Sequence, residues 1–570
     1  MNVGNSFCPQ MAQMYVYFGR PRWKCIYLRH LRNLRTIIGT LLVQSAICCT
    51  GALGAPPNAK HLFPTGAQRG AATEVTAAGS FSTWPARIWT SDVGLQVTCS
   101  DEKGKLNITV AADTRPGLYF IRLYDDEGAS RPLPFVVGNL PEDVEKSSND
   151  SPDKAETLPS SVVTVNGRLE KRDDVDVYAV ELAAGQTVVA SLVANEMLAS
   201  PMDGVLQVLA TDGTVLAQND DWHGLDPQLV LTAPSPGKYF VRTFAFPAQP
   251  DSRIGLAGGD DFLYRLTITT APFVDYTWPL AVRQGESSEL ELCGWNIGET
   301  IKPQNVSPSE ALFSIDGDQL AGQLSLAVEP HACLIEAEPA NSGESQTLEL
   351  PTTVSGRLQS PAERDVFRFL AKRGETVLFQ LAGRDLGSPL DAVVEIADAN
   401  GKSLVRVDDT DRQRDPEVSW KAPADGAFQV IVSDLNGRGG ERFFYRLDAS
   451  VAKPDFSIKS SAHTYAGSLD KPQEIALEID RRHGFDKEII IRPGGLPDSI
   501  VAEPATSAKN GETAKKVKLK LTAGAAYAGP LRIVGVAQDA EPLTREAVVK
   551  LPGDAEIADL WLTFKADKSE

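Results

Sequence analysis

The stretches that decide the fold of this chain are Val165-Asn166-Gly167-Arg168-Leu169 and Val354-Ser355-Gly356-Arg357-Leu358, which lie 189 positions apart. Each opens a longer segment in which matching motifs follow in the same order. Tyr264-Arg265-Leu266 closes the first segment, and Tyr445-Arg446-Leu447 closes the second. We therefore interpret the two segments, named P1 (residues 165–276) and P2 (residues 351–453), as copies of one domain.

Both copies have the pattern of β-strands. In P1, Tyr178, Val180 and Leu182 are separated by single residues, which is the period of two that a strand with one buried face requires. Phe367 and Phe369 are spaced in the same way in P2. Glycine-containing turns separate such runs at short intervals, which favours a sandwich over alternating strands and helices. The predicted fold class is all-β, built from tandem β-sandwich modules.

A second repeat surrounds the first, because residues 63–70 resemble residues 278–285 and each stretch precedes a predicted strand. We name the two domains that these stretches open A1 and A2. The predicted division is a signal peptide at 1–54, A1 at 60–140, a linker at 141–164, P1 at 165–276, A2 at 277–350, P2 at 351–453 and a C-terminal β domain at 454–570.

The N-terminus has the pattern of an export signal. Residues 1–54 carry six Lys or Arg and no Asp or Glu, and an apolar run from residue 37 is followed by Ala52-Leu53-Gly54, which resembles a cleavage site. An uncleaved membrane anchor is the alternative. The predicted location is therefore the periplasm, the cell surface or the extracellular medium.

The charge of the chain argues against one class of partner. The net charge is −19, and the basic residues of the N-terminus make the remainder still more acidic. A body of this charge repels phosphate backbones, so nucleic acid is not expected as a partner.

Three cysteines remain beyond the predicted signal, namely Cys99, Cys293 and Cys333, and their spacing fits no zinc or iron–sulfur pattern. Cys293 and Cys333 fall in the same predicted domain. We therefore expect them to lie close enough for a disulfide, which requires Cα atoms within about 7 Å. Cys99 is expected to be a small buried apolar residue.

The sequence carries no motif of a familiar active site. It lacks H-E-x-x-H, G-x-S-x-G and a phosphate-binding loop, and its histidines are scattered along the chain. We predict that the chain is not an enzyme. An unrecognised hydrolase remains an alternative, because any acidic protein offers pairs of carboxylates that could hydrolyse a glycoside.

Two aspartate-rich loops at matching positions of the repeats are the candidate metal sites. Calcium binds six to eight oxygens, and closely spaced aspartates on an irregular loop could supply them. The alternative is that these side chains stabilise turns through hydrogen bonds to their own backbone. Trp222, beside the first aspartate pair, is either an exposed binding platform or a core residue. The candidate calcium ligands are Asp220, Asp221 and Asp226 in P1, and Asp408, Asp409 and Asp415 in P2.

P1 and P2 resemble the bacterial pre-peptidase C-terminal domain, a small jelly-roll-like β-sandwich. The resemblance implies an accessory role, because such domains accompany secreted proteases or occur in long proteins without a catalytic domain, and some relatives bind collagen, carbohydrate or calcium. A1, A2 and the C-terminal domain resemble the immunoglobulin-like domains that accompany them. The motifs that carry the resemblance are Asn166-Gly167-Arg168-Leu169, Asp174-Val175-Asp176-Val177-Tyr178, Gly185-Gln186-Thr187, Asn219-Asp220-Asp221 and Pro236-Gly237-Lys238-Tyr239-Phe240-Val241.

The predicted function is that of an exported, non-catalytic binding or scaffold protein, in which a rod of β domains presents loops to an extracellular or cell-surface protein or glycan. An accessory or inhibitory subunit of a secreted protease is the first alternative, and the unrecognised hydrolase is the second.

Overall fold

The computed structural model describes residues 54–146, 148–249, 255–298, 304–306, 312–314, 320–322, 325–337, 345–409, 415–469, 471–537, 542–551 and 555–565. The predicted signal segment lies outside these ranges, apart from Gly54. Within them, no helix is long and apolar enough to cross a membrane. The described part is almost entirely β-structure, which confirms the predicted fold class.

A1 consists of two facing sheets that enclose one apolar core, and its sheet orders are β1-β3-β6-β5 and β2-β9-β7-β4, with β8 paired to β7. Its strands alternate buried and exposed residues, as in β6, where Leu106, Ile108 and Val110 point inward. The strands are β1 Asn58–Phe63, β2 Gly66–Gln68, β3 Ala72–Ser80, β4 Arg87–Thr90, β5 Leu95–Cys99, β6 Lys105–Val110, β7 Gly117–Asp125, β8 Gly128–Ala129 and β9 Leu133–Gly138.

P1 is a sandwich of two five-stranded sheets, ordered β10-β12-β19-β14-β17 and β11-β13-β18-β15-β16. Its strands are β10 Glu142–Val144, β11 Glu156–Thr157, β12 Val162–Arg168, β13 Asp176–Leu182, β14 Thr187–Val193, β15 Met202–Leu209, β16 Val215–Asn219, β17 Gln228–Thr232, β18 Gly237–Pro247 and β19 Leu263–Thr269. A short helix, α1 (Asn195–Leu198), follows β14, and a 3-10 turn at Pro152–Lys154 precedes β11.

The segment predicted to be a linker, residues 141–164, belongs to this sandwich instead. It contains β10 and β11, which pair in parallel with β12 and β13, and the beginning of β12 itself. The prediction was wrong because β10 and β11 are short, polar edge strands. They contribute backbone hydrogen bonds but too few apolar residues to show an alternating pattern.

The described residues of A2 form two three-stranded sheets, ordered β20-β22-β23 and β21-β25-β24, around a small core. The strands are β20 Phe273–Trp278, β21 Ala281–Arg283, β22 Ser288–Trp295, β23 Gln304–Val306, β24 Leu312–Ser314 and β25 Ser325–Glu329.

P2 repeats P1 strand for strand, with sheet orders β26-β28-β35-β30-β33 and β27-β29-β34-β31-β32. Each P2 strand takes the place of the P1 strand numbered sixteen lower, as the internal sequence repeat requires. The strands are β26 Ala332–Ile335, β27 Gln346–Leu348, β28 Thr352–Arg357, β29 Arg364–Ala371, β30 Thr376–Ala382, β31 Ala392–Asp398, β32 Ser403–Val407, β33 Glu417–Lys421, β34 Gly426–Asp434 and β35 Phe444–Val451. A 3-10 turn at Arg384–Leu386 takes the place of α1.

The C-terminal domain forms one connected sheet folded around a single core. A 3-10 turn at Glu512–Ala514 precedes β42. The strands are β36 Asp455–Ser460, β37 Thr464–Ser468, β38 Gln473–Arg482, β39 Ile489–Gly494, β40 Ile500–Glu503, β41 Ala505–Ser507, β42 Lys516–Ala523, β43 Tyr527–Ala537, β44 Leu543–Lys550, β45 Glu556–Ile557 and β46 Leu560–Lys565.

Two further expectations from the sequence are wrong. The domains do not form an open rod, because the last strand contacts A1: the Lys565 ammonium lies 2.8 Å from a carboxylate oxygen of Glu127. Cys293 and Cys333 are free thiols, as is Cys99. Cys293 lies on β22 of A2, whereas Cys333 lies on β26, which pairs with β28 of P2, so the two residues belong to different domains.

Candidate functional site: an acidic pocket in the first repeat

A small polar cavity of about 150 Å³ lies in P1, where the segment after β10 crosses the loop between β12 and β13. Carboxylates dominate its lining, and one lysine is present. The lining residues are Glu145, Ser148, Asn149, Asp150, Glu170, Lys171, Asp174 and Asp176.

The motif that opens the repeat positions Asp176, one of the residues that line the pocket. Gly167 on β12 faces Tyr264 on β19, and a Cβ atom at position 167 would lie 2.2 Å from the Tyr264 ring. Only glycine therefore lets the tyrosine lie flat across β12. In that position the Tyr264 hydroxyl donates a hydrogen bond of 2.6 Å to Oδ2 of Asp176, and this bond fixes the Asp176 carboxylate beneath the cavity.

Glu145, which is half-buried, forms a carboxyl pair with the buried Asp176. The backbone N–H of Arg168 donates to Oε2 of Glu145 at 2.7 Å, which holds the glutamate side chain against the end of β12. Burial is the main cause that raises the pKa of Glu145 to about 7, and the neighbouring acids Asp174 and Glu170 raise it further. Burial, followed by the charge of Glu145, raises the pKa of Asp176 well above its usual range. Near neutral pH the pair therefore holds a proton or needs a cation.

The rim of the pocket carries further oxygen ligands and one compensating charge. The backbone N–H of Glu170 donates to Oδ2 of Asp174 at 2.6 Å, so this carboxylate is also fixed. Asn149 is almost fully buried, and neither its Oδ1 nor its Nδ2 has a hydrogen-bond partner among the described residues. The Lys171 ammonium lies 3.7 Å from Asp174 and 3.9 Å from Asp150, and it is mostly exposed.

The size of the cavity limits what it can hold. One water occupies about 30 Å³ of liquid, whereas small-molecule sites usually measure about 300–1,000 Å³. A cavity of about 150 Å³ therefore suits a cation with a few waters better than a sugar or a peptide. Carboxylate and amide oxygens are the ligands that calcium prefers. In the described residues no three His, Cys, Asp or Glu side chains are already gathered as metal ligands, so binding would require the pocket carboxylates to draw closer together around the ion.

P2 contains the same framework. Gly356 lies beneath Tyr445, and the Tyr445 hydroxyl donates to Oδ2 of Asp365 at 2.7 Å. Glu336 accepts the backbone N–H of Arg357 at 2.8 Å, as Glu145 accepts that of Arg168. The P2 segment that corresponds to 148–150 of P1 falls largely outside the described residues.

The structure places two of the predicted calcium ligands in another role. The carboxylate of Asp226 accepts the backbone N–H groups of Ala194, Asn195 and Glu196 at 2.8–3.2 Å, and it is almost fully buried. Asp415 does the same in P2, where it accepts N–H groups from residues 383–385 at 2.8–3.0 Å. These hydrogen bonds hold α1 and the matching 3-10 turn, about 30 residues away in sequence, which differs both from a calcium site and from a turn stabilised through its own backbone.

The other four predicted ligands lie on the surface, away from the acidic pocket. Asp220, Asp221 and Asp409 are exposed, and Oδ1 of Asp408 accepts the N–H of Asp409 at 3.0 Å, as in an ordinary turn. A calcium site at these loops stays a prediction.

Trp222 is neither an exposed platform nor a core residue of its own domain. Its ring lies 6.0 Å from that of Trp295 in A2, and the guanidinium of Arg442 in P2 lies 4.4 Å from its centroid. Trp222 therefore joins three domains at their junction. P2 has Thr410 at the matching position. A tryptophan is needed in only one of the two repeats if this junction forms only once.

Sequence reasoning missed the pocket because its residues come from two places. Asp174 and Asp176 belong to a motif quoted above, but Glu145, Asn149 and Asp150 lie in the segment assigned to a linker. The one available signal was local: a run of acidic and amide residues placed directly before the repeat begins.

Comparison with known proteins connects this region to a family. Residues 174–245 match the model of the bacterial pre-peptidase C-terminal domain. The matched segment starts at Asp174 in the pocket and ends in β18, so it lies within P1. No curated protein matches the chain.

Several solved structures resemble parts of the chain at low identity. The pre-peptidase C-terminal domain of a Bacillus anthracis collagenase is 16% identical, with coverage of 19% of this chain and 95% of that domain and a TM-score of 0.16. PliG of Aeromonas hydrophila, a periplasmic inhibitor of g-type lysozyme, is also 16% identical, with coverage of 21% and 97% and a TM-score of 0.15. SGBP-B of a Bacteroides ovatus mixed-linkage glucan utilization locus is 10% identical, with coverage of 69% and 74% and a TM-score of 0.13. At such values these likenesses say nothing about function.

Proposed function

We propose that this chain is an exported, non-catalytic scaffold protein whose P1 domain binds calcium in the acidic pocket. The observation that carries the proposal is the carboxyl pair of Glu145 and Asp176, whose pKa values are raised first by burial and then by repulsion from neighbouring carboxylates: Asp174 and Glu170 act on Glu145, and Glu145 acts on Asp176. A divalent cation would relieve that repulsion and would also give Asn149 a partner. The export pattern of the N-terminus supports a role outside the cytoplasm.

The proposed partner is an extracellular or cell-surface protein or glycan. The support is architectural, because the two repeats expose matching edge strands, β16 and β32, at the ends of their sheets. Calcium would fix the segment between β10 and β11, which form the sheet edges opposite β17 and β16.

The test of the calcium site is thermal unfolding of the chain with millimolar calcium and with chelator. A ligand stabilises the folded state by about 2.7 kcal/mol at a hundredfold excess over Kd. We expect calcium to raise the Tm of the P1 transition by several degrees and chelator to reverse the shift. Glu145→Gln combined with Asp174→Asn should remove the calcium effect.

The matched control is Asp220→Asn combined with Asp221→Asn, which removes two charges from the exposed loop and should keep the calcium shift. Identical melting curves with calcium and with chelator would contradict the proposal. If only the Asp220 and Asp221 variant loses the calcium-dependent Tm shift, calcium binds instead at the loop predicted from the sequence.

The non-catalytic assignment is tested separately by a broad hydrolase screen, which we expect to show no turnover. Turnover that Glu145→Gln abolishes would overturn the assignment, because a carboxyl group with a pKa near neutrality can also act as a general acid.

The match of residues 174–245 favours one second candidate, an accessory subunit of a secreted protease. Co-purification of a protease with the chain from the native secretome would support this candidate. A chain that is recovered alone would favour the scaffold.

A further inference from the structure

The first and last domains of the described chain meet at a contact whose centre is Arg122. This residue of β7 is fully buried, and its guanidinium lies 5.8 Å from the ring of Trp89 and 5.9 Å from the ring of Trp561 on β46. Its Nη2 donates to the backbone oxygen of Asp559 at 2.8 Å, and its Nη1 donates to that of Ser130 at 3.3 Å. The buried guanidinium of Arg122 therefore donates these two hydrogen bonds to backbone carbonyl oxygens and not to carboxylates.

The carboxylates around this contact are engaged elsewhere. Asp559 accepts from Arg532 at 2.7 Å, and Glu127 pairs with Lys565. Oδ1 of Asp125 accepts two backbone N–H groups of its own turn. Burial of Arg122 lowers its pKa to about 10, and the opposing charge of Asp559 offsets only part of that effect. A further positive charge at this contact would therefore meet repulsion with little compensation.

His463 is the group that can supply such a charge. Its backbone oxygen accepts the N–H of Trp561 at 2.9 Å, and its Nδ1 is buried without a hydrogen-bond partner among the described residues. Burial is the first cause that lowers the pKa of His463, and the positive charges of Arg122 and Arg131 lower it further. Contact between A1 and the C-terminal domain therefore favours the neutral form of this histidine.

We propose that the contact between A1 and the C-terminal domain is an acid-sensitive latch, which opens when His463 takes up a proton beside Arg122 and Arg131. When the latch opens, the aromatic surface formed by Trp89, Tyr124 and Trp561 becomes accessible, and the ends of the multidomain chain separate. This latch is independent of the calcium pocket, because it lies between other domains and uses none of the pocket residues.

The direction of the pH dependence follows from linkage. An undocked, exposed histidine has a pKa of about 6.5, and docking lowers this value. The contribution of neutral His463 to docking is therefore fully present above that pH and is lost as the pH falls below it. One proton is taken up on opening, so the docking constant falls up to about tenfold for each pH unit in that range.

The other titrating groups near the contact do not explain its opening in acid: one favours docking as the pH falls, and another acts at a different contact. Burial raises the pKa of Asp125, so its protonation favours the docked state as the pH falls. The pKa of His61 in A1 is lowered by burial and by the charge of Arg168. Because Arg168 belongs to P1, titration of His61 affects the contact between A1 and P1. Acid opening of the latch is thus assigned to His463.

The test uses the full chain at about pH 7.5 and about pH 5.5, on either side of the histidine pKa. Small-angle scattering measures the radius of gyration, and hydrogen exchange, corrected for its intrinsic pH dependence, measures protection of β8 and β46. We expect a larger radius and reduced protection at the lower pH, with far-UV circular dichroism unchanged. His463→Gln cannot be protonated and should keep the compact form at both pH values.

The matched control is His483→Asn, a substitution on an exposed turn after β38, where the left-handed backbone with φ of 52° suits asparagine. This variant should open as the wild type does. The proposal is overturned if the wild type keeps its radius and protection at the lower pH, or if His463→Gln opens to the same extent. It is also overturned if the β-signal is lost together with compactness, because the latch requires opening with intact domains.

Discussion

At residue 167 the chain carries glycine because the ring of Tyr264 occupies the space where a side chain would begin. We predict that Gly167→Ala destabilises P1 by about 1–3 kcal/mol, the usual cost of overpacking a dense core. The buried tyrosine would have to move, and its hydrogen bond to Asp176 would weaken. Scanning calorimetry should show a lower Tm for P1. Gly494→Ala is the control, because a Cβ at that position meets nothing within 4 Å and should leave the Tm unchanged.

Glu145 carries a second prediction at the same scale. Because its pKa is raised from 4.5 to about 7, the folded state binds its proton more tightly than the unfolded state does. Its ionisation therefore destabilises P1 as the pH rises between these two values, at up to about 1.4 kcal/mol for each pH unit. When chelator removes calcium, the ionisation of Glu145 should make P1 less stable at about pH 8 than at about pH 5.

Urea unfolding at the two pH values measures this difference. Glu145→Gln keeps an acceptor for the N–H of Arg168 but has no charge to lose, so it should flatten the dependence on pH. A wild-type chain whose P1 stability rises across the same range would show that the carboxyl pair is not buried as described.

At the scale of elements, β10 shows that the segment assigned to a linker is part of P1. Glu142 on this strand accepts from both Nη atoms of Arg265, at 2.8 and 2.6 Å, and both side chains are at least nine-tenths buried. Glu142→Ala leaves the guanidinium buried without its counter-charge, which usually costs about 3–5 kcal/mol. Urea unfolding of P1 should show that loss. Glu286→Ala, which breaks an exposed pair with Arg283, should cost less than about 1 kcal/mol.

Much of the fold could be predicted from the sequence at this scale. Alternation in stretches such as Phe367–Phe369 follows directly from burial of one strand face, and the internal repeat follows from matching motifs. Edge strands such as β10 could not be predicted, because a few polar residues that pair in parallel leave no periodic signal. The roles of Asp226 and Asp415 depend on backbone N–H groups about 30 residues away, which no local pattern shows.

At the scale of the whole molecule, the domains are linked by specific contacts as well as by the chain. The guanidinium of Arg442 in P2 lies 2.7 Å from the buried carboxylate of Asp275 in A2, and it stacks over Trp222 of P1 and Trp295 of A2. We predict that Arg442→Ala loosens this junction and increases the radius of gyration, while each domain stays folded. Arg364→Ala, which breaks an ion pair within P2, should leave the radius unchanged. Equal radii for both variants and the wild type would contradict a rigid junction.

The central claim is that calcium binds among Glu145, Asp174 and Asp176 in P1, and locating the ion tests it most directly. Crystals of the chain grown with calcium would be measured at a long wavelength, where calcium scatters anomalously. We expect an anomalous difference peak inside the acidic pocket, within coordination distance of the Glu145, Asp174 and Asp176 carboxylates. A map with no peak in that pocket, or with its peak at the loop of Asp220 and Asp221, would contradict the account.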